Sequence, residues 1–224
     1  MKTKTQAKHI FSDLGIGLLF LFSLIGLGLL FVLLFRPLYV FDLRTLHLSE
    51  ITGYSETEIL ENYNYLIRTC LPFFSGTFQL PTLPSSSSAV QHFREVRQIF
   101  YVIYAISGIS ILALIPILHH KKKNQDFHYL KISGILVLAV PVALGIFSAI
   151  SFHTIFIMMH QILFQNDFWL FDPATDPIID FLPEEYFLHC AILLFLFLIT
   201  GGILLLLRYR HHKIRNTSSS SLCS

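Results

Sequence analysis

Cysteine is scarce in this chain and forms no motif. Three residues in 224, Cys70, Cys190 and Cys223, stand far apart, and no C-x-x-C is present to build a zinc knuckle or a redox couple. They read as isolated thiols, with a Cys70–Cys190 disulfide as the lesser option. No G-x-S-x-G elbow, P-loop or Rossmann glycine pattern occurs, which disfavours a serine lipase and a nucleotide-driven machine. Internal repeats are absent too. The net charge of +2 carries no nucleic-acid footprint, because the positive charges gather beside apolar runs.

Apolar sequence is what the chain has in quantity. Hydrophobic residues make up 54% of it and the mean hydropathy is +0.63, values of an integral membrane protein. Four runs are long enough to span: Ile10–Phe35, Ile99–Leu118, Ile132–Ile150 and Phe187–Leu207, against the ~20 residues a crossing helix needs. The expected fold is therefore mainly α, one membrane domain over residues 1–224 with four transmembrane helices. The third helix is expected to continue beyond the bilayer to about residue 164, with a kink at Pro141. The first run is too long for a signal peptide and leaves through Arg36-Pro37 without a small-residue cleavage site, so it reads as a retained anchor.

Charge sets the expected orientation. Eleven of the sixteen lysines and arginines flank the runs on one side: Lys2, Lys4, Lys8, Lys121, Lys122, Lys123, Lys131, Arg208, Arg210, Lys213 and Arg215. Residues 36–98 and 161–186 hold the other five and 12 of the 14 acidic residues. By the positive-inside rule both termini are cytoplasmic and those two segments form a small extracytoplasmic cap. Within the cap, Ser55-Glu56-Thr57-Glu58 has the form of a capping box, predicting a helix over Glu56–Cys70 that Pro72 ends. Phe73–Ser88 reads as a loop, and Ser85–Ser88 can cap the helix that enters span two. Ser218–Ser221 reads as a disordered tail.

Eleven histidines are present. His9, His119, His120, His128, His211 and His212 lie in basic segments where surface charge suffices, and His47 has no polar motif beside it. His92 lies 27 residues before His119, and His160 29 residues after Lys131. Along continuous helices those counts are about 40 and 43 Å. A bilayer with its headgroups is ~40–45 Å thick, so both imidazoles reach the opposite ester layer. His92 and Glu95 share a helix face at i, i+3, so the carboxylate could orient the ring. The plainer reading of that segment is an interfacial salt bridge among Arg94, Glu95 and Arg97. His153 and His160, seven apart, share a face about 10 Å from each other, too far for one metal ion. Glu184-Glu185 reads as a helix N-terminus, with His189 standing alone.

The segments His92-Phe93-Arg94-Glu95-Val96-Arg97, His160-Gln161-Ile162-Leu163-Phe164, and Trp169-Leu170-Phe171-Asp172-Pro173-Ala174-Thr175-Asp176-Pro177 resemble the bacterial lipoprotein intramolecular transacylase family (Lit). The resemblance covers nearly the whole chain. It implies a cofactor-free acyltransferase of the bacterial cell membrane, working at the outer leaflet interface. The substrate would be the diacylglyceryl-modified N-terminus of a lipoprotein, set in membrane lipid. Its sn-2 acyl chain would pass to the α-amine of the N-terminal cysteine, leaving a lyso-form lipoprotein. By motif match His92 and His160 are the catalytic pair, with Glu95, Arg97, Trp169 and Asp172 supporting and no metal. Two other readings compete: a metal-dependent membrane hydrolase using His92, His153 and His160, and a non-enzymatic membrane assembly protein.

Overall fold

The computed structural model describes residues 2–221, with side chains from Ile10 to Arg215. The side chains of Lys2, Lys4, Lys8 and His9, and Cys223, lie outside that range. Every regular element in it is helical: α1 (Lys2–Leu34), α2 (Arg36–Thr45), α3 (Leu48–Thr52), α4 (Glu56–Cys70), α5 (Ser87–Lys123), α6 (His128–Ile150), α7 (Phe152–Leu163), a 3-10 turn (Pro177–Phe181) and α8 (Glu184–Ser221). Four segments are long and apolar enough to cross a bilayer: Ile10–Leu34, Ser87–Lys123, His128–Ile150 and Glu184–Arg215. Each contains one of the four expected runs or ends within a residue of it.

The helix expected at Glu56–Cys70 is α4, and Ser55 Oγ accepts the Glu58 amide at 3.2 Å. Ser86, within the expected serine run, caps α5: its Oγ accepts the Ala89 amide at 3.1 Å. Pro141 lies inside α6 without ending it. The expected continuation of that helix to residue 164 is corrected. α6 stops at Ile150, Ser151 is extended, and its Oγ accepts the Thr154 amide at 3.3 Å to start α7 afresh. A serine that can cap the next turn competes with the helix ladder, a signal the apolar run concealed. Because the helix breaks there, the 29-residue rise that gave the depth of His160 does not add along one axis. Ser218–Ser221, expected as a disordered tail, continue α8. Extending an existing helix adds a backbone hydrogen bond per residue without a new nucleus.

The chain divides into two compact units. One is built from α1 up to Gly28, Ala105–Ile146 and α8 from Leu194. Lipid gives helices no hydrophobic drive to associate, so close backbone approach must hold them. Gly134 of α6 and Gly202 of α8 provide it: a Cβ on Gly134 would lie 3.1 Å from the Gly202 carbonyl oxygen, and one on Gly202 3.2 Å from that of Gly134. Asp13, 2% exposed, sits at one end of this unit. It accepts from Lys121 Nζ at 3.2 Å and meets His128 Nδ1 at 2.7 Å, while Lys121 also binds Asp126 at 2.6 Å. A carboxylate at membrane depth needs such partners. His128, read from the sequence as surface charge, thus has a specific partner.

The other unit, Leu29–Tyr104 with Phe147–Leu193, contains the cap. Its core is aromatic: Tyr39 stacks on Tyr63 at 3.5 Å, and Tyr186 meets both edge-on. These rings keep their hydroxyls paired, Tyr39 donating to the Phe181 carbonyl at 2.8 Å and Tyr63 sharing a bond with Tyr186 at 2.9 Å. Asp42, fully buried, bonds His189 Nδ1 at 2.7 Å. His189 therefore does not stand alone as expected; its partner comes from 147 residues away.

Candidate active site

α5 carries His92 in its second turn and α7 carries His160 in its last, and the two rings meet with centroids 6.0 Å apart. No hydrogen bond joins them directly, which leaves room for a reacting group between them. Both are buried, at 6% and 9% exposure.

Their nitrogens are held differently. His160 Nδ1 lies 2.7 Å from the Phe156 carbonyl oxygen, one helical turn back. A carbonyl only accepts, so Nδ1 carries the proton and Nε2 of the neutral ring is a bare base. Burial lowers the pKa of His160 below 6.5, with the Phe156 bond opposing, so the ring is neutral at neutral pH. His92 Nδ1 is buried without any partner. Buried polar atoms are rarely left so, and this one is free to meet a polar group of a substrate.

Both rings line a cavity of about 290 Å³ whose walls are almost wholly apolar. α1 gives Leu29, Val32 and Leu33; α4 gives Leu66, Ile67 and Cys70; α5 gives Val96, Ile99 and Phe100; α8 gives Tyr186, Phe187 and Cys190. Cys70 and Cys190 are free thiols, as the sequence reading preferred. Burial pushes the Cys70 thiol up to about 11, so it is a protonated wall rather than a nucleophile. Aromatic rings fix the imidazoles: Phe164 and Phe171 lie 4.6 and 5.4 Å from His92, and Trp169 4.9 Å from His160.

The other expected site residues stand one step back. Glu95 does not bond His92, a correction to the i, i+3 reading. Its carboxylate accepts from Gln91 Nε2 at 2.8 Å and from Asn166 Nδ2 at 3.1 and 3.3 Å. It thus ties α5 to the loop after α7, which leads to Trp169. The Arg94–Glu95–Arg97 salt bridge does not form either: Arg94 bonds Gln91, and Arg97 donates to the Gly76 carbonyl at 2.9 Å. Asp172 closes a turn, its carboxylate accepting the Ala174 amide at 2.9 Å. Asp176 then accepts the Ser86 amide at 2.6 Å, pinning that loop to the start of the His92 helix. His153, the third histidine of the metal reading, is exposed and paired with Glu184 at 2.7 Å. Among the described residues no three His, Cys, Asp or Glu are grouped to hold a metal ion. Sequence reading missed Asn166, the Phe156 carbonyl and Asp42. Only the Phe156–His160 spacing of four left a trace.

The family model for the lipoprotein intramolecular transacylase Lit matches residues 14–187 of this chain. The chain belongs to that family. A search of curated proteins found no match. Among solved structures, this Lit family member is similar to the membrane-integral lipoprotein intramolecular transacylase Lit from Bacillus cereus, at 32% identity and a TM-score of 0.89, over 92% of this chain and 96% of that one. Two forms of the same Bacillus cereus protein carry a single histidine replacement. The histidine-to-arginine form matches at 31% identity and TM-score 0.83, over 98% of this chain and 100% of that one. The histidine-to-alanine form matches at 30% and 0.86, over 97% and 100%. Family membership and four apolar helices make the chain a multi-pass membrane protein of this transacylase family.

Proposed function

We propose that this transacylase moves the sn-2 acyl chain of a diacylglyceryl lipoprotein onto the α-amine of its N-terminal cysteine, with His92 and His160 as the reacting pair. The observation that carries the reading is two buried imidazoles 6.0 Å apart at an apolar cavity, one with its tautomer fixed and the other with a nitrogen unpartnered. His160 Nε2 takes a proton from the amine, whose ordinary pKa of ~7.7–8.0 asks little of an imidazole base. The amine nitrogen attacks the ester carbonyl carbon. His92 Nδ1 donates to the oxygen that becomes negative, and collapse breaks the bond to the glyceryl oxygen. That oxygen receives the proton His160 took, so nothing is consumed. Ester-to-amide transfer is downhill and needs neither ATP nor cofactor.

Nucleophile and ester belong to one molecule, so much of the rate comes from holding them together in a water-poor cavity. Glu95, Arg97, Trp169 and Asp172 serve as positioning residues. Glu95 and Asp172 brace the loop that carries Trp169, Trp169 packs on His160, and Arg97 holds the Gly76 carbonyl. The lysine and arginine distribution supports cytoplasmic termini and a cap facing outward, where the acyl ester of an outer-leaflet lipoprotein lies. The deciding experiment is mass spectrometry of a diacylated lipoprotein before and after incubation with the protein in nanodiscs. The expected product has unchanged total mass, with one acyl chain on nitrogen. An unchanged fragment pattern, or loss of the chain to water, overturns the reading.

A further inference from the structure

One loop of the cap combines two features that a water-exposed loop avoids. Phe73 is 99% exposed, and its backbone sits in the left-handed region at φ +67°, where a bulky side chain is a genuine outlier. Yet this is not a slack segment. Tyr104 donates to the Cys70 carbonyl at 3.2 Å, Tyr101 to Phe74 at 3.0 Å, Arg97 to Gly76 at 2.9 Å and Tyr65 to Thr77 at 3.0 Å. Four of eight consecutive carbonyls are thus capped by side chains, and the strained Phe73 is held in the middle of them.

The capping residues also report depth. Arg97, Tyr101 and Tyr104 form one stripe on α5, spaced i, i+4 and i+7. The apolar run of α5 starts at Ile99, so Tyr101 and Tyr104 lie about 3 and 7.5 Å inside it at the helical rise. Helical side chains lean toward the N-terminus, which brings their hydroxyls back to the level where the run begins. That is the boundary between headgroups and acyl chains, where tyrosine concentrates. Backbone at this depth favours carbonyls satisfied by protein, and here the carbonyls of Cys70, Phe74, Gly76 and Thr77 are. Arg68 and Arg97 reach to within 6.0 and 5.8 Å of the Phe74 ring centroid, and among the described residues neither pairs with a carboxylate, as suits cations at headgroup level.

We propose that the 71–77 loop docks into the bilayer leaflet on the cap side, with Phe73 inserted among its acyl chains. The side-chain caps on the loop carbonyls make that insertion tolerable, and the left-handed turn at Phe73 delivers its ring outward. This does not depend on the chemistry proposed above, only on α5 crossing a membrane. The test uses the full chain in nanodiscs with Phe73→Trp, reading the emission added over the parent protein. That added emission should fall by more than half when the lipids carry bromine on their acyl chains, and stay unchanged with iodide in the water. Quenching by iodide and not by bromolipid overturns the proposal. So does added emission that becomes iodide-shielded only when lipoprotein is supplied, which would make the substrate the occupant. A second variant, Phe73→Gly, guards against misfolding of the first. Glycine takes this φ freely, so its melting temperature in detergent should equal or exceed that of the parent. A drop like that of a core phenylalanine would mean that Phe73 packs on protein, and the proposal fails.

Discussion

This protein uses histidine in two opposite ways, at carboxylate pairs and in the apolar cavity. At Asp13 in the first unit, and again at Asp42 and Glu184 in the second, a carboxylate lies 2.7 Å from a histidine nitrogen. In the cavity, His92 and His160 have no carboxylate partner: one bonds a backbone carbonyl and the other leaves Nδ1 unpaired. A carboxylate fixes a histidine and favours its charged form. Its absence leaves a neutral ring whose free nitrogens can be used by a substrate. The contrast teaches that in an apolar protein the histidines with good partners hold structure, and the under-partnered ones are open to chemistry.

The sharpest way to break the comparison is to replace both kinds. His92→Gln and His160→Gln should each lower the transacylation rate by about 10²–10⁴-fold, the usual share of a positioned acid or base. Melting temperatures should be little changed. Activity surviving either replacement sinks the pair. Asp13→Ala should do the reverse, because it strips a buried carboxylate from Lys121 and His128. A loss of about 3 kcal/mol in unfolding stability is expected, the lower end for a broken buried pair because His128 is half in solvent. The protein that remains folded should keep its rate per molecule.

Glu95 tests whether the cavity pair truly does without a carboxylate. Glu95→Ala, which frees Asn166 and its loop, should cost up to about 10²-fold in kcat through misplacement, with little change in KM. Glu95→Gln can still accept from Asn166 and should recover most of that loss. If the glutamine variant fails as badly as alanine, the charge of Glu95 acts on His92 and the comparison is wrong. The smallest effect is in titration. Burial lowers the pKa of His160, so its ring should be more than half neutral at pH 6.5, where a free imidazole is half protonated. Nuclear magnetic resonance of labelled histidine checks this, and a midpoint at or above 6.5 removes the argument for a ready base.

Helix positions were readable wherever local physics dominates. The apolar runs, the Ser55 cap of α4 and the serine cap of α5 depend on neighbours within four residues, and each lies where the pattern puts it. The break at Ser151 was hidden, since a lone serine in an apolar run has two uses and the pattern does not choose between them. Partner choice was the least legible. Glu95 has His92 three residues away yet bonds Asn166, 71 residues on. His189 has Glu185 at i−4 yet takes Asp42. Such choices follow from tertiary closure, which no local spacing encodes. His92 and His160 became a pair through motif resemblance, and the depth count that first matched them rested on a helix that is broken.

The bond from Ser86 to Asp176 also has a meaning in time. It joins the start of the His92 helix to the loop beyond His160, so the cavity closes only after residue 176 has been made. Synthesis proceeds at ~5–20 residues per second, which puts several seconds between the emergence of the two histidines. Through that interval the nascent protein sits among lipids with His92 made and His160 still to come. On the proposed chemistry, the protein stays inert until its own second half arms it.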